Sequence, residues 1–476
     1  MHPVDFSIFA VYLLSMLGVG FFFLRKNKNT DDYFVGGRKM NSLHIGLSVV
    51  ATDVGGGFSI GLGGLGFIMG LSGSWLLFSG LVGAWLSAVI LIPPVHRLSR
   101  KHNFLSFPQF LSHAYNGKIA LMAGIISAIG YIGFTSSQIL AGAKLASATF
   151  PSLSLNQALL TMGIIAVGYT VMGGLKAVIY TDTIQWIILL SGLIFIALPI
   201  CYAGIGGYEG LIRGLPDRFF SITNISWQQF LNWMTTIIPI WFIGMTLYQR
   251  IYASRNLKTA RKAWFVAGLF EYPVMAFTGV ILGMFAQVAF DKGMFVSSGF
   301  APGSPIDSEM GLPLLLKTVL PVGLTGVVLA AYFSAIMSTA DSCLMAASGN
   351  LLTDILRLHR VPKSLLLSQL FTLLIGILAL LLALKMPNVL ELMLHSYTFM
   401  VSGMFVPVLA ALLPRQNSPL AALWSMITGG TVALSLIITA PPLPFGLNAN
   451  IFGILSSLLV FVLLSLFQNK PHTPAA

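Results

Sequence analysis

The sequence predicts an all-α polytopic membrane protein, and three observations carry that prediction. Of its 476 residues 56% are hydrophobic and only 8% are charged, against roughly 25% charged in an ordinary soluble domain. Apolar runs near the ~20 residues needed to cross a hydrocarbon core recur along the chain, with short polar breaks between them. The basic residues fall on alternate loops, as the loops of a multi-pass protein require.

Taken in order, the runs place about thirteen transmembrane helices, at 6–24, 43–71, 73–95, 119–147, 157–175 and 181–204, then 228–247, 263–289, 313–350, 365–385, 389–413, 418–440 and 448–467. This organisation reads as one membrane domain, 1–476. A peripheral first helix at 5–24 precedes a five-helix set over 43–204, a second five-helix set over 228–413 and flanking helices over 418–467. Five is odd, so the second set begins from the opposite side of the membrane, as an inverted repeat requires.

The 26 Lys and Arg residues give a net charge of +12, yet they form no single patch of the kind that binds nucleic acid. Arg25, Lys26, Lys28, Arg38, Lys39, Arg97, Arg100, Lys101 and Lys118 fall to one side, with Lys176, Arg250, Arg255, Lys258, Arg261, Lys262, Arg357, Arg360, Lys363, Arg415 and Lys470. The other side keeps Arg213, Arg218, Lys292, Lys317 and Lys385, and Lys144 lies inside a span. The rich side is cytoplasmic by the positive-inside rule, so the N-terminus is expected outside and the C-terminus inside a cell (inner, plasma) membrane. Cys201 and Cys343 both lie in apolar runs, which excludes a disulfide framework or a cysteine metal cluster. The N-terminus has no cationic region or cleavage site of a signal peptide, so the first run is kept as a span.

The second run holds ATDVGGGFSIGLGGLGF, with glycines at 55, 56, 57, 61, 63, 64 and 66. Gly costs about 1 kcal/mol against Ala in a helix interior, and unwound backbone at membrane depth persists only inside protein or along a wet cavity. With Asp53 beside it, the run points to a broken helix at a midplane site, where freed carbonyls ligate a cation. The alternative is that these glycines only let helices approach closely. The pairs Gly173–Gly174 and Gly206–Gly207 read as turns.

Intramembrane ionisable residues are functional candidates because each is costly to insert. They are Asp53, Lys144, Asp182, Glu271 and Asp341, with Glu391 and His395 nearer an interface. In AIMSTADSCLMAASG, helical spacing sets Ser338, Asp341 and Ser342 on one face with Thr339 beside them. That oxygen-rich face suits a hard cation such as sodium; the hydroxyls alone are also accounted for by bonds to preceding carbonyls. Asp182 either caps a helix or serves an ion. Lys144 either pairs with a carboxylate or snorkels to the interface.

FVGGRKM, ATDVGGG, GGLKAVIYTDTIQ, QRIYASRN and SAIMSTADS, in this order over almost the whole chain, resemble the sodium:solute symporter family. The resemblance implies the leucine-transporter fold, inverted five-helix repeats with extra flanking helices, working by alternating access. It implies a sodium site from the Ala51, Val54 and Ala335 carbonyls and the Ser338 and Thr339 hydroxyls, supported by Asp53. Asp182, Asp341 and Ser342 stand as a possible second sodium or coupling site. Phe134, Gln138, Trp241 and Gly244 are substrate candidates, similar in part to the proline branch, although Phe134 replaces a tyrosine.

The expected function is sodium-coupled import of a small organic solute of the amino acid, betaine or amine, or carboxylate class. Proton coupling, or a sugar or sialic acid as solute, is the alternative. No HExxH, Ser-His-Asp set or cofactor fingerprint is present, so no enzyme activity is expected. The expected partners are the solute, sodium and the lipid bilayer, with no nucleic acid, and one chain is sufficient.

Overall fold

The structure is a computed structural model that describes residues 2–24, 34, 38, 40–150, 153–358, 364–413 and 418–468. Arg25, Lys26, Lys28, Lys39, Arg360, Lys363, Arg415 and Lys470 lie outside the described residues, as does most of the FVGGRKM stretch. The described chain is helical almost throughout, because in hydrocarbon only a helix satisfies its own backbone groups segment by segment. Polar caps mark where several helices begin. Asn41 accepts the His44 N–H at 3.0 Å, Asn116 accepts those of Lys118 and Ile119, and Ser154 with Gln157 forms a capping box.

The first helix is α1 (Pro3–Leu24), and the expected second helix is two pieces, α2 (Ser42–Asp53) and α3 (Gly56–Met69). They are followed by α4 (Trp75–Ile90), α5 (Gly117–Thr149) and α6 (Leu155–Ser191). The second half comprises α7 (Trp227–Ile243), α8 (Met245–Ala253), α9 (Leu257–Leu269), α10 (Ala276–Asp291), α11 (Ser308–Val319) and α12 (Leu324–Asn350). It ends with α13 (Ser364–Ala383), α14 (Val389–Ala411), α15 (Pro419–Thr439) and α16 (Ala449–Gln468).

Among the described residues ten helices are long and apolar enough to cross a membrane, or eleven if the bent pair α7 and α8 is one span. The expected count of about thirteen is higher: α1 falls among the shorter apolar helices, and the run Ile60–Ile90 counts as one span although Gly70, with a φ of 69°, ends α3 within it. Two expectations change. The ninth helix, placed at 313–350, is two helices, α11 and α12: Pro321 offers no amide hydrogen to continue the ladder, and Gly323 takes a φ of 90°. The expected fifth and sixth helices share the single helical stretch α6, with apolar spans Leu155–Met172 and Thr181–Gly204. The Tyr169 and Thr181 hydroxyls nevertheless lie 2.9 Å apart, whereas twelve residues of straight helix advance about 18 Å. The chain therefore bends back between them.

At the centre, α12 is almost wholly buried and packs against α5, α6 and α1, while α13 and α16 lie at the perimeter. Asp5 of α1 accepts the Gly323 and Gly326 amides, both at 2.7 Å. It thereby caps α12 and pins the first helix to the core.

Candidate ion and solute site

The break between α2 and α3 falls at Val54 and Gly55, where the backbone leaves helical values. The Thr339 side chain from α12 fills the notch. Its hydroxyl donates to the Ala51 carbonyl at 2.9 Å and to the Ala335 carbonyl at 3.3 Å. A Cβ built on Gly55 would lie 1.6 Å from Thr339 Oγ1, so only glycine lets the broken helix close on α12. The glycines of the run have two different tasks. A Cβ on Gly66 would meet the Val280 carbonyl oxygen at 2.1 Å, so the outer half of the run serves close packing of α3 on α10, as small residues do in membrane interfaces.

Four of the five residues expected around sodium thus meet at this break: Ala51, Ala335 and Thr339 directly, with Val54 at the helix end, where its N–H donates to the Val50 carbonyl at 2.8 Å. Ser338, the fifth, is engaged with Asp182. Its hydroxyl donates to Asp182 Oδ1 at 2.5 Å, leaving its lone pairs to accept a cation. Oxygen-only donors of this kind suit a hard monovalent ion.

A second helix is broken at the corresponding place in the second set. α7 and α8 meet at Gly244 with a bend of 42°. The Tyr131 hydroxyl from α5 lies 3.1 Å from Thr246 Oγ1 and accepts the Thr246 N–H, while the Tyr248 hydroxyl donates back to the Phe242 carbonyl at 2.9 Å. Aromatic rings gather nearby: Phe134 meets Tyr397 edge-on with centroids 4.9 Å apart and stacks with Tyr131 at 6.4 Å. Trp241 is buried against Trp264, and Gln138 is buried beside Ser137.

Asp53, at the end of α2, and Glu271 are close enough for their carboxyl groups to interact. Glu271 sits in the wide helical stretch Phe270–Met275 and lies so close to α4 that a Cβ on Gly80 would be 2.0 Å from its Oε2. Asp53 Oδ2 and both Glu271 oxygens receive no donor from a described residue. Two facing carboxyl groups of this kind must share a proton or hold a cation.

Arg250 was expected in a cytoplasmic loop, and the structure overturns that placement. It lies on α8 and is completely buried. Its Nη2 is 2.7 Å from Thr52 Oγ1, 2.6 Å from Ser342 Oγ and 3.4 Å from Asp182 Oδ2, and its Nε donates to Ser48 Oγ at 3.2 Å. Ser48 in turn donates to Asp182 at 2.5 Å. The loop assignment failed because a buried guanidinium is tolerable only with such partners, and they come from positions 48, 52, 182 and 342.

Residues 33–429 match the family model described as Sodium:solute symporter family. The chain belongs to that family. It is 25% identical over 481 residues to the sodium/proline symporter of Escherichia coli, covering 97% of this chain and 93% of that protein. It is 27% identical over 393 residues to the sodium/glucose cotransporter of Vibrio parahaemolyticus, covering 76% of this chain and 70% of that one. Its fold matches that of a Na+-coupled sialic acid symporter solved in a substrate-bound outward-open state, with a TM-score of 0.80, 21% identity and 98% of both chains covered. A nucleobase-cation-symport-1 family transporter in a closed conformation aligns with a TM-score of 0.60 at 13% identity over 92% of this chain and 94% of that one.

As a member of this family the protein is a multi-pass sodium-coupled solute symporter with the leucine-transporter fold. A vestibule of about 870 Å³ opens into this symporter. Its lining includes Leu65, Trp233, Glu309, Glu391, His395 and Thr398, and Thr398 adjoins the Tyr397 ring that packs on Phe134. At its edge Lys144 bonds to Asp307 at 2.5 Å and to Glu309 at 2.6 Å, so the lysine takes carboxylate partners. Glu309 also accepts the Val389 and Leu390 amides at 3.0 and 2.9 Å, capping α14. Asp341 stands apart from the Asp182 group and accepts from Thr170 at 2.5 Å. Sequence reasoning left Glu271 unconnected and missed the second break, although Pro239 and Gly244 within α7 and at its end were signals for it.

Proposed function

We propose that this symporter imports a small organic solute bearing a positively charged nitrogen, of the amino acid, betaine or amine class, and carries it inward with sodium by alternating access. The observation that carries this reading is the facing Asp53 and Glu271 carboxyl groups beside the α2–α3 break, near the Tyr131, Phe134 and Tyr397 rings. Of the two ways such a pair is satisfied, a shared proton or a bound cation, this reading takes the cation, which aromatic faces also attract. The sodium/proline symporter resemblance over 97% of the chain is consistent with such a solute. Sugar or sialic acid transport lacks that chemical support here.

In this reading sodium is cargo held by the Ala51, Val54 and Ala335 carbonyls with the Thr339 and Ser338 hydroxyls. To accept it, Thr339 must turn its proton away from the Ala51 carbonyl, so that both oxygens offer lone pairs. The ion then bridges α2 to α12 and steadies the break where the solute binds, which makes sodium and solute tighten each other's binding reciprocally. The Lys- and Arg-rich loops lie in the cytoplasm of a cell with this protein in its inner membrane, the N-terminus is outside, and one chain carries every group named. The protein performs no catalysis.

Purified protein reconstituted into sealed vesicles tests this. An inward sodium gradient is expected to drive accumulation of an amino acid or betaine from a panel that also holds pantothenate, sialic acid and sugars. Accumulation of a sugar alone, or accumulation that follows a pH gradient and ignores sodium, would overturn the reading.

A further inference from the structure

Along α9 one stripe of side chains changes character with depth. Lys258, Lys262, Phe265 and Leu269 are spaced by four, three and four residues, which keeps them on one face of the helix, and all four are exposed. The cationic end lies where the apolar span Leu257–Asp291 begins, at the Lys- and Arg-rich face of the molecule, and the apolar end lies deeper. From Lys258 to Leu269 the helix advances about 16 Å, half of a hydrocarbon core of ~30 Å. The stripe is therefore one leaflet long.

The last two turns of α4 form a second wall beside it. The Trp85 indole N–H donates to the Phe265 carbonyl at 3.2 Å, and the two rings meet edge-on with centroids 6.0 Å apart. Gly268 gives the indole its seat, since a Cβ added there would lie 2.7 Å from Trp85 Nε1. Nearer the basic end, Arg261 Nε donates to the Ala88 carbonyl at 3.2 Å, which fixes the guanidinium at the end of α4 and leaves its two Nη groups for another acceptor. No carboxylate serves these cations. The sequence has no Asp or Glu between Asp53 and Asp182 or between Asp217 and Glu271, and among the described residues Lys258, Arg261 and Lys262 enter no ion pair.

We infer that the groove between α4 and α9 binds an acidic phospholipid, with its phosphate held by Lys258, Arg261 and Lys262 and an acyl chain laid along Trp85, Phe265 and Leu269. Unpaired cations alone would take any anion, and an apolar face alone would take any lipid. Their order along one stripe selects a molecule that carries both, with its charge at the membrane surface and its chain beneath. The arginine fork matches two phosphate oxygens at once, and an indole at this depth is an interfacial anchor. The lipid ties together two helices that flank Glu271, which follows α9 directly and lies against Gly80 of α4. The inference goes beyond the proposed function and depends on neither the solute nor the ion.

Full-length protein purified in a neutral, lipid-free detergent tests this, with dioleoyl phosphatidylglycerol as the probe. Phosphatidylglycerol is expected to raise the melting transition and to stay bound to the intact chain in native mass spectrometry. Dioleoyl phosphatidylcholine, glycerol phosphate and inorganic phosphate at equal concentration should do neither. Lys258→Gln with Lys262→Gln removes two exposed charges of the groove and should weaken the apparent affinity for phosphatidylglycerol about tenfold or more. Lys118→Gln with Arg357→Gln removes as much charge from exposed positions at the ends of α5 and α12 and should leave that affinity unchanged. Equal stabilisation by phosphatidylcholine would reduce the groove to an apolar face, and equal stabilisation by either phosphate would reduce it to an anion site; both overturn the inference. Equal loss in the two double variants would also overturn it, because the attraction would then be diffuse. The melting transition without lipid shows that each variant is folded, and the comparison of probes on the unaltered protein decides without them.

Discussion

Gly55 and Thr339 are in contact so close that one carbon added to the glycine would lie 1.6 Å from the threonine hydroxyl. Gly55→Ala must therefore push α2 and α3 away from α12. Overpacking of this kind costs about 1–3 kcal/mol, and here the displaced atoms include those proposed to hold sodium. The expected outcome is loss of most sodium-dependent thermal stabilisation with a folded protein remaining. Gly168 provides the contrast, since a Cβ there meets nothing within 4 Å. Gly168→Ala is expected to leave melting unchanged or raise it slightly, because Ala favours helix over Gly by up to about 1 kcal/mol.

Thr339 is the side-chain oxygen common to the Ala51 and Ala335 carbonyls. Thr339→Ala removes a ligand while leaving the backbone carbonyls in place, and it is expected to weaken apparent sodium affinity about tenfold, the value of roughly 1.4 kcal/mol. Thr339→Ser restores the hydroxyl and should recover most of that loss. Sodium titrations of melting temperature read both variants, since a ligand of the folded state raises its stability with concentration. Equal sodium dependence in Thr339→Ala and the unaltered protein would rule out this oxygen as a ligand.

Much of this arrangement was legible in the sequence because its signals are local. A glycine run beside Asp53 marks a break wherever it occurs, and Ser338, Thr339, Asp341 and Ser342 share one short helical segment. Arg250 was illegible for the opposite reason. Nothing near position 250 distinguishes a buried arginine from a loop arginine, and its tolerance depends on oxygens brought from positions 48, 52, 182 and 342 by the fold. Glu271 likewise gains its meaning only from Asp53, 218 positions earlier. The separation of α11 from α12 was masked by apolar residues on both sides of Pro321 and Gly323, which kept hydropathy high across a backbone discontinuity.

Lys144 joins two carboxylates of unequal exposure, Glu309 at 8% and Asp307 at 37%. The buried partner should dominate. Lys144→Met leaves the largely buried Glu309 without its cation, a change that costs about 3–5 kcal/mol when a buried pair is broken. Asp307→Asn removes the more exposed contact and is expected to cost about 1 kcal/mol or less. Glu309 also holds two amides of α14, so the double change Lys144→Met with Glu309→Gln should recover part of the loss. Thermal unfolding of the three variants checks the order, and equal destabilisation by Lys144→Met and Asp307→Asn would contradict it.

Asp53 and Glu271 separate support of the ion from recognition of the solute. Each oxygen left without a donor at this pair is an acceptor that a positively charged nitrogen can satisfy, and neutralising either acid removes half of that attraction. Asp53 also adjoins the Ala51 and Val54 carbonyls, so Asp53→Asn is expected to lower both sodium-dependent and solute-dependent stabilisation. Glu271 lies across from it in the stretch Phe270–Met275, against Gly80 of α4. Glu271→Gln should therefore leave the sodium titration within about threefold while weakening the solute response about tenfold or more, the range expected when a charged hydrogen bond of 1.5–3 kcal/mol is lost. Melting shifts measured with sodium alone, and then with sodium plus the solute identified by uptake, resolve the two effects. A Glu271→Gln protein that loses its sodium response as fully as Asp53→Asn would place both carboxylates with the ion and remove the argument for a positively charged solute.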